Sequence, residues 1–202
     1  MQQLESSDVR DKISKSIRSR VVSDGARHLV RELLKRAAKS SPIVNTRLQV
    51  RSVRDSDCRD LWLWRNAPQM REVCFHSQMI PYASHKRWFK AKKKDSSVKL
   101  WIAEDKAGEK IGQVRFDARG AKAGVSVCLN PRYYGQGLGP QLIAAGSKNF
   151  FASHPGIQTI EAEVEETNRS SIKAFQKAGY DFVKTATKQG KKIHIYQRVR
   201  TA

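Results

Sequence analysis

An α/β fold is what this sequence predicts, and three observations predict it. Apolar residues recur at every second position in some stretches and at helical spacing in others. The two kinds of stretch interleave along the chain. One segment, residues 123–153, joins a strand, a glycine-rich turn and a helix without interruption. The elements read β-α-α-β-β-β-α-β-α-β-β over residues 46–202, behind a basic helical extension at 1–45. A chain of 202 residues holds one domain with a real core plus that extension.

Residues 1–40 place Ile13, Ile17 and Val21, then Leu29, Val30, Leu33 and Leu34, at helical spacing, with a break at Ser23, Asp24 and Gly25. This amphipathic segment is too short to bury a core alone. Ser40-Ser41-Pro42 marks a linker. RLQVRSV, from Arg47, alternates as a first strand. Asp55 or Asp57 stands where a cap belongs for a helix carrying Cys58, Leu61, Trp62 and Trp64, which Pro68 ends. Ser84 offers a cap for a second helix, holding Trp88 and Phe89 and closing in the lysine-rich run 90–94, a solvated face. Residues 98–104 and 110–117 are strands around the turn Asp105, Lys106, Ala107 and Gly108.

Next, Val125, Val127 and Leu129 alternate with Ser126 and Cys128 until Asn130-Pro131, because Pro has no N–H to give a ladder. Gly135, Gly137 and Gly139 follow, and a helix opens with Leu138, Leu142, Ala145, Gly146 and Phe150; Pro140 suits its first turn. In residues 158–165, Ile160, Ala162 and Val164 share one face, and Glu161, Glu163 and Glu165 the other. Residues 168–178 form a short helix closed by Gly179, and strands at 180–185 and 191–199, joined at Gln189-Gly190, complete the order.

Charge narrows the partners. Lys and Arg number 39 against 19 Asp and Glu, a net charge of +20. The excess is spread, 10 basic less 5 acidic (+5) over residues 1–46 and 29 less 14 (+15) over the rest. Anionic partners are favoured, and weak nucleic-acid affinity is expected, but no arginine-rich arm or zinc-finger spacing concentrates the charge. Cys58, Cys74 and Cys128 form neither a CxxC pair nor an even framework, which points to a reducing compartment. With no long apolar run and no signal-like segment behind Met1, the expectation is a soluble, cytoplasmic chain without a membrane span; monomer and dimer both stay open.

A strand, a glycine-rich turn and a helix start make an anion site by geometry, since free N–H groups and the positive helix end point at the ligand. The candidate donors are the amides of Gln136, Gly137, Leu138 and Gly139. The spacing G-Q-G-L-G is not the dinucleotide pattern G-x-G-x-x-G, and Pro140-Gln141 replaces the Lys-Ser/Thr of a P-loop.

Tyr134-Gly135-Gln136-Gly137-Leu138-Gly139 resembles the acetyl-CoA loop of the GNAT superfamily of N-acetyltransferases, Gln/Arg-x-x-Gly-x-Gly/Ala after the fourth strand, with Tyr134 in place of Gln or Arg. A second GNAT segment, N-x-x-[SA]-x-x-x-[YF]-x-K-x-G-[FY], is matched by Asn168, Ser171, Phe175, Lys177, Gly179 and Tyr180. The resemblance covers residues 47–199 and implies a mixed, mostly antiparallel sheet of six to seven strands flanked by four helices. It implies acetyl-CoA as co-substrate, with no metal and direct transfer in a ternary complex. Leu129, Asn130, the loop from Tyr134 to Gly139, Asn168, Ser171, Phe175 and Lys177 would hold the coenzyme. Oxyanion donors are expected in the backbone of Cys128, Leu129 and Asn130, where the fourth and fifth strands part. Glu163 is the expected base. Phe175 stands where the family commonly has a tyrosine that protonates the leaving thiolate, so the acid falls to Tyr133, Tyr134 or water.

LWLWRNAPQMR and IPYASHKRWF resemble the GNAT branch that acetylates the 4-amino group of nucleotide-linked 4,6-dideoxy sugars on the way to pseudaminic-type acids. By that resemblance Arg65, Asn66 and His85 meet the nucleotide sugar, with Arg115 adding a phosphate contact. A planar Arg fork suits a diphosphate, and His85 would donate to phosphate or stack on uracil. The W-R-N text is also similar to the N-terminal acetyltransferases that modify ribosomal proteins. A third reading is a basic RNA- or ribosome-binding protein on an inactive GNAT fold.

Overall fold

The computed structural model describes residues 48–75 and 77–201, and the predicted extension at 1–45 lies outside them. One sheet of seven strands runs through the described residues in the order β1-β2-β3-β4-β5-β7-β6. The strands are β1 (Gln49–Ser52), β2 (Val98–Glu104), β3 (Lys110–Arg119), β4 (Lys122–Leu129), β5 (Thr159–Glu165), β6 (Asp181–Lys188) and β7 (Lys191–Val199). Every neighbouring pair is antiparallel except β4 and β5. The helices are α1 (Cys58–Asn66), α2 (Pro68–Glu72), α3 (Tyr82–Lys94), α4 (Leu138–Ser153) and α5 (Arg169–Lys177).

Among the described residues five helices stand where four were expected, and Pro68 is the reason. It stops α1 at Asn66 but occupies the first position of α2, where a missing N–H costs nothing. Ser84 does not cap α3, which starts at Tyr82 behind Pro81; its Oγ accepts a hydrogen bond from Arg87 inside the first turn. Asp57 precedes α1 without a side-chain cap bond. Its carboxylate, 0% exposed, accepts from Arg51 at 2.7 and 3.1 Å and from the Arg54 N–H at 2.7 Å, and Lys110 Nζ lies 2.8 Å away. Burial alone would raise its pKa, but the bonds from Arg51, Arg54 and Lys110 outweigh it and hold the carboxyl well below the usual range. One buried anion thereby ties β1, the start of α1 and β3 together.

Each face of the sheet has its own core. Val114, Phe116, Ala123, Ile160, Ala162, Val164 and Tyr196 pack under α4 and α5, against Leu142, Ile143, Phe150, Ile172 and Phe175. On the opposite face Val53, Leu100, Ile102 and Cys128 pack under α1 and α3, against Cys58, Leu61, Trp64 and Phe89. Gly146 lets α4 come close, since a Cβ there would meet Val114 Cγ1 at 2.8 Å.

The sheet is not continuous between β4 and β5. These strands pair only at Lys122↔Thr159, Ala123↔Ile160 and Gly124↔Glu161. Beyond that, β4 stays on β3 as far as Leu129↔Gly112, and β5 stays on β7 as far as Glu165↔Ile193. A V-shaped gap opens between them.

Candidate active site

Ladder alternation decides which backbone groups face the gap. The Asn130 N–H donates to the Ile111 carbonyl at 2.9 Å. Residues facing the partner strand alternate along an antiparallel ladder, so the Cys128 amide also faces β3, while those of Val127 and Leu129 face the gap. Of the three expected oxyanion donors, Leu129 is therefore the one with a free amide; Cys128 and Asn130 are excluded because β3 takes their N–H groups. The Asn130 side chain is occupied too, donating to the Lys110 carbonyl at 2.9 Å and accepting from the Arg132 N–H at 3.2 Å.

The mouth of the gap is the glycine-rich loop. Gly135 and Gly137 adopt φ of +78° and +73°, the left-handed region, and Gly137 is the N-cap of α4. The amides of Gly135, Gly137, Leu138 and Gly139 make no hydrogen bond to a loop, a side chain or another element among the described residues. Gln136 departs from expectation: its amide donates to the Tyr133 carbonyl at 3.4 Å, and its side chain donates to the Arg132 carbonyl at 3.0 Å. A Cβ at Gly139 would meet Ala174 and Leu129 only at 3.6 Å, so nothing of the protein itself requires glycine there. Amides turned outward at a 16-residue helix start, with glycine where a ligand would approach, fit the diphosphate of acetyl-CoA.

Other expected coenzyme contacts are partly spent on the fold. Asn168 Oδ1 caps α5, accepting from the Ser171 N–H at 3.1 Å and the Ser170 hydroxyl at 3.0 Å. Phe175 is a core residue, edge-on to Tyr180 at 5.1 Å. Lys177 is exposed in the last turn of α5, where its charge complements the helix end; about 13 Å of helix separates it from Asn168.

The two tyrosines part company. Tyr133 packs against the α4 and α5 core, and the charges near it are Glu109, Asp105 and Arg132. Tyr134 lies within electrostatic reach of Cys128 and Cys74, on the α1 and α3 face. Its hydroxyl is buried and has no partner among the described residues. Burial, then those two thiols, push its pKa far up, so it keeps its proton. The Cys128 thiol is likewise pushed up to about 12 by burial, which leaves no thiolate to act as a nucleophile.

The α1 and α3 face carries the groups expected to meet the amine. The positive charge of Arg65, in the last turn of α1, acts on His85, Cys74 and Cys128. His85, 4% exposed, is held neutral chiefly by burial, against a hydrogen bond to the Cys58 backbone and with help from Arg65. Its Nε2 is buried and has no hydrogen-bond partner among the described residues. Its ring lies 5.1 Å from Trp88, and the Arg115 guanidinium lies 5.6 Å from the Trp88 ring while donating to Asp117 at 2.7 Å. Asn66 does not face a ligand: it accepts from the Ile80 N–H at 2.8 Å and donates to the Ile80 carbonyl at 3.0 Å, pinning the loop before α3.

Glu163 lies on β5 just past its last pairing with β4. Its side chain is 43% exposed and is bonded to Lys188. Sequence reading passed over Gln113, although the alternation that located Arg115 also put it on the same face.

A family model described as the acetyltransferase (GNAT) domain matches residues 47–181. No curated protein matches the chain. Among solved structures, an aminoglycoside acetyltransferase, AAC(6')-Ib, in complex with coenzyme A and kanamycin is 21% identical with a TM-score of 0.64, over 76% of this chain and 95% of that one. The spermidine N-acetyltransferase of Vibrio cholerae with CoA and spermine is 14% identical, TM-score 0.67, over 76% and 95%. An uncharacterized protein of Bacillus halodurans is 22% identical, TM-score 0.65, over 78% and 86%. These likenesses extend to the fold.

Proposed function

Because this chain belongs to the GNAT acetyltransferase family, and is on that ground an acetyl-CoA-dependent N-acetyltransferase, we propose that the amine it acetylates sits on an anionic carrier, a nucleotide-activated 4-amino-4,6-dideoxy sugar. The observation that carries this reading is charge pairing on the amine side. Asp117 is bonded to Lys92 and Arg115, Glu161 to Lys122, Glu163 to Lys188 and Glu165 to Lys191. A polycation such as spermine or kanamycin needs carboxylates free to replace its hydration. A diphosphate gains instead from the guanidinium of Arg65, and a nucleobase from the face of Trp88.

Acetyl-CoA supplies the activated acetyl group. The amides of Gly135, Gly137, Leu138 and Gly139 bind its diphosphate, and the Leu129 N–H points to where negative charge develops on oxygen. His85 Nε2 takes the proton that the amine releases as the N–C bond forms. Tyr134 Oη gives its proton to sulfur as the C–S bond breaks, and solvent restores both residues. His85 replaces Glu163 as base because a neutral, buried nitrogen lies on the amine side, whereas the carboxylate is solvated and paired.

The test is to incubate the full chain with acetyl-CoA and a panel of amines, following thiol release. The panel holds a UDP-linked 4-amino-4,6-dideoxy sugar, spermidine, kanamycin and a peptide with a free N-terminus. The nucleotide sugar should lead in kcat/KM by ~100-fold over the polycations, the size that like-charge juxtaposition gives. A preference for spermidine, kanamycin or the peptide would overturn the reading.

A further inference from the structure

Resting on the reading of the α1 and α3 face as the amine side, we propose that Gln113 holds the amine in place: its Oε1 and His85 Nε2 form a pair of hydrogen-bond acceptors that takes the two N–H bonds of a neutral primary amine. The amine's lone pair is then left for attack.

Gln113 sits in the middle of a cross-strand row. It lies opposite Ile102 on β2 and Cys128 on β4, and directly opposed residues share a face of the sheet. Ile102 and Cys128 both belong to the core under α1 and α3, so Gln113 points into that layer, beside the end of β4 where the gap opens. It is 8% exposed, and its Oε1 is buried with no hydrogen-bond partner among the described residues. A buried carbonyl oxygen left without a partner is costly, and natural interiors avoid it unless a ligand or water completes the bond.

His85 shares the layer. It stands one helical turn before Phe89, whose ring is in the same core, so both side chains lie on the sheet side of α3. From Gln113 the face continues to Arg115, two residues along the strand, then to Trp88, then to His85. The amide oxygen accepts by nature, and in the neutral imidazole with its proton on Nδ1 the buried, unpartnered Nε2 accepts as well. A neutral amine offers two N–H bonds and one lone pair. Two acceptors fix the first and leave the second. As the N–C bond forms, one N–H proton passes to His85 Nε2 while the other stays on Gln113, and the C–S electron pair leaves on sulfur with the proton of Tyr134. The amide product keeps one N–H, the one Gln113 holds.

The test pairs a protein change with a substrate change. Gln113→Leu in the full chain is assayed with whichever amine of the panel the wild type acetylates, and with the N-methyl form of that amine, which has one N–H fewer. Calorimetry with coenzyme A checks the fold and the coenzyme site, where affinity should stay within about twofold because the Gln113 side chain lies on the face opposite α4, whose start carries the loop amides. In the wild type the N-methyl amine should lose ~10-fold or more in kcat/KM, the scale of one buried hydrogen bond. In Gln113→Leu the primary amine should lose ~10- to 100-fold, and the two amines should become equal within about twofold. Should the leucine variant fail to fold, Gln113→Met, nearer in shape, is used instead. Wild-type kinetics in the variant overturn the proposal, and so does a loss that is the same for both amines, which marks a packing role. If the peptide rather than the sugar is acetylated, the nucleotide-sugar reading fails while this one is still decided on the peptide and its N-methyl form. If no amine is acetylated, both fail.

Discussion

Replacing Tyr134 by Phe separates chemistry from architecture, because the structure assigns the two effects opposite signs. The Tyr134 hydroxyl is buried and bonded to no atom of the described residues. Deleting it breaks no hydrogen bond and removes a polar group that had lost its water, so stability should hold or rise by about 1 kcal/mol. The same deletion takes away the proton destined for the leaving sulfur. A positioned acid contributes about 10²- to 10⁴-fold, or roughly 3–5 kcal/mol of barrier. The expected result is a fall of at least ~100-fold in kcat with coenzyme affinity unchanged and the melting temperature the same or higher. Single-turnover thiol release together with thermal denaturation measures both. Adding Phe175→Tyr should not rescue the loss, because position 175 is 3% exposed and packed on Tyr180, away from the Tyr134 hydroxyl's face. An unchanged kcat would refute the assignment. A loss of stability above about 2 kcal/mol would show that the hydroxyl has a structural partner after all.

Four further outcomes follow from the same geometry. Glu163→Gln should leave kcat within about threefold and stability within about 1 kcal/mol, since an exposed ion pair is weak; a 100-fold loss of rate would restore Glu163 as the base. Gly139→Ala, where the backbone is ordinary and the nearest protein atoms are 3.6 Å from a Cβ, should leave the melting temperature alone and weaken coenzyme A binding ~10-fold by calorimetry. Asp57→Asn should cost about 3 kcal/mol in denaturant unfolding, because Arg51 and Lys110 lose their buried anion; that stabilisation is present above the ordinary carboxylate pKa near 3.8 and is lost as pH falls through the depressed value. His85 should accept a proton only as the neutral ring. Its pKa lies below 6.5, with burial the largest cause, then the opposing Cys58 backbone bond and then Arg65, so kcat should hold at pH 6.5 and drop only at lower pH. A decline beginning above 6.5 would point to a different base.

How much of this was legible depended on whether a residue acts through its local pattern or through distant partners. Period-two runs located β2 and β7 to the residue, and the glycine-rich turn was read correctly as a strand-to-helix junction, because both are local signals. Polar residues were harder. Asn66, Asn130 and Asn168 all looked like ligand contacts, yet their amides bond Ile80, the Lys110 and Arg132 backbone, and the first turn of α5. An Asn spends its groups on whichever backbone is nearby, and no spacing rule says which. Asp57 read as a cap but answers to Arg51, six residues back, and Lys110, fifty-three residues on. Pro68 read as a stop and is also a start. Gln113 is the opposite failure, since its alternation was visible but its lack of a partner shows only in three dimensions.

The alternation of one strand also explains why a single segment can serve two ligands without confusing them. Along β4, Val125, Val127 and Leu129 send side chains toward α4 and α5, while Cys128 sends its own toward α1 and α3. The backbone alternates in the sheet plane with the same period, so Leu129, whose side chain supports the loop helix, is also the residue whose N–H faces the gap. The short 3-10 turn at Pro131–Tyr133 keeps this order, turning Tyr133 to the helix side and leaving Tyr134 to the other. Under the proposed mechanism the oxyanion donor, Leu129, and the acid, Tyr134, therefore come from one short segment that ends β4. A one-residue slip of β4 on β3 would send the Leu129 amide back into the ladder and move Cys128 under α4. Asn130 opposes that slip by bonding Ile111 with its amide and Lys110 with its side chain, at the point where β4 has already lost β5. If fixing register is what Asn130 contributes, Asn130→Ala should reduce kcat more than it reduces coenzyme affinity.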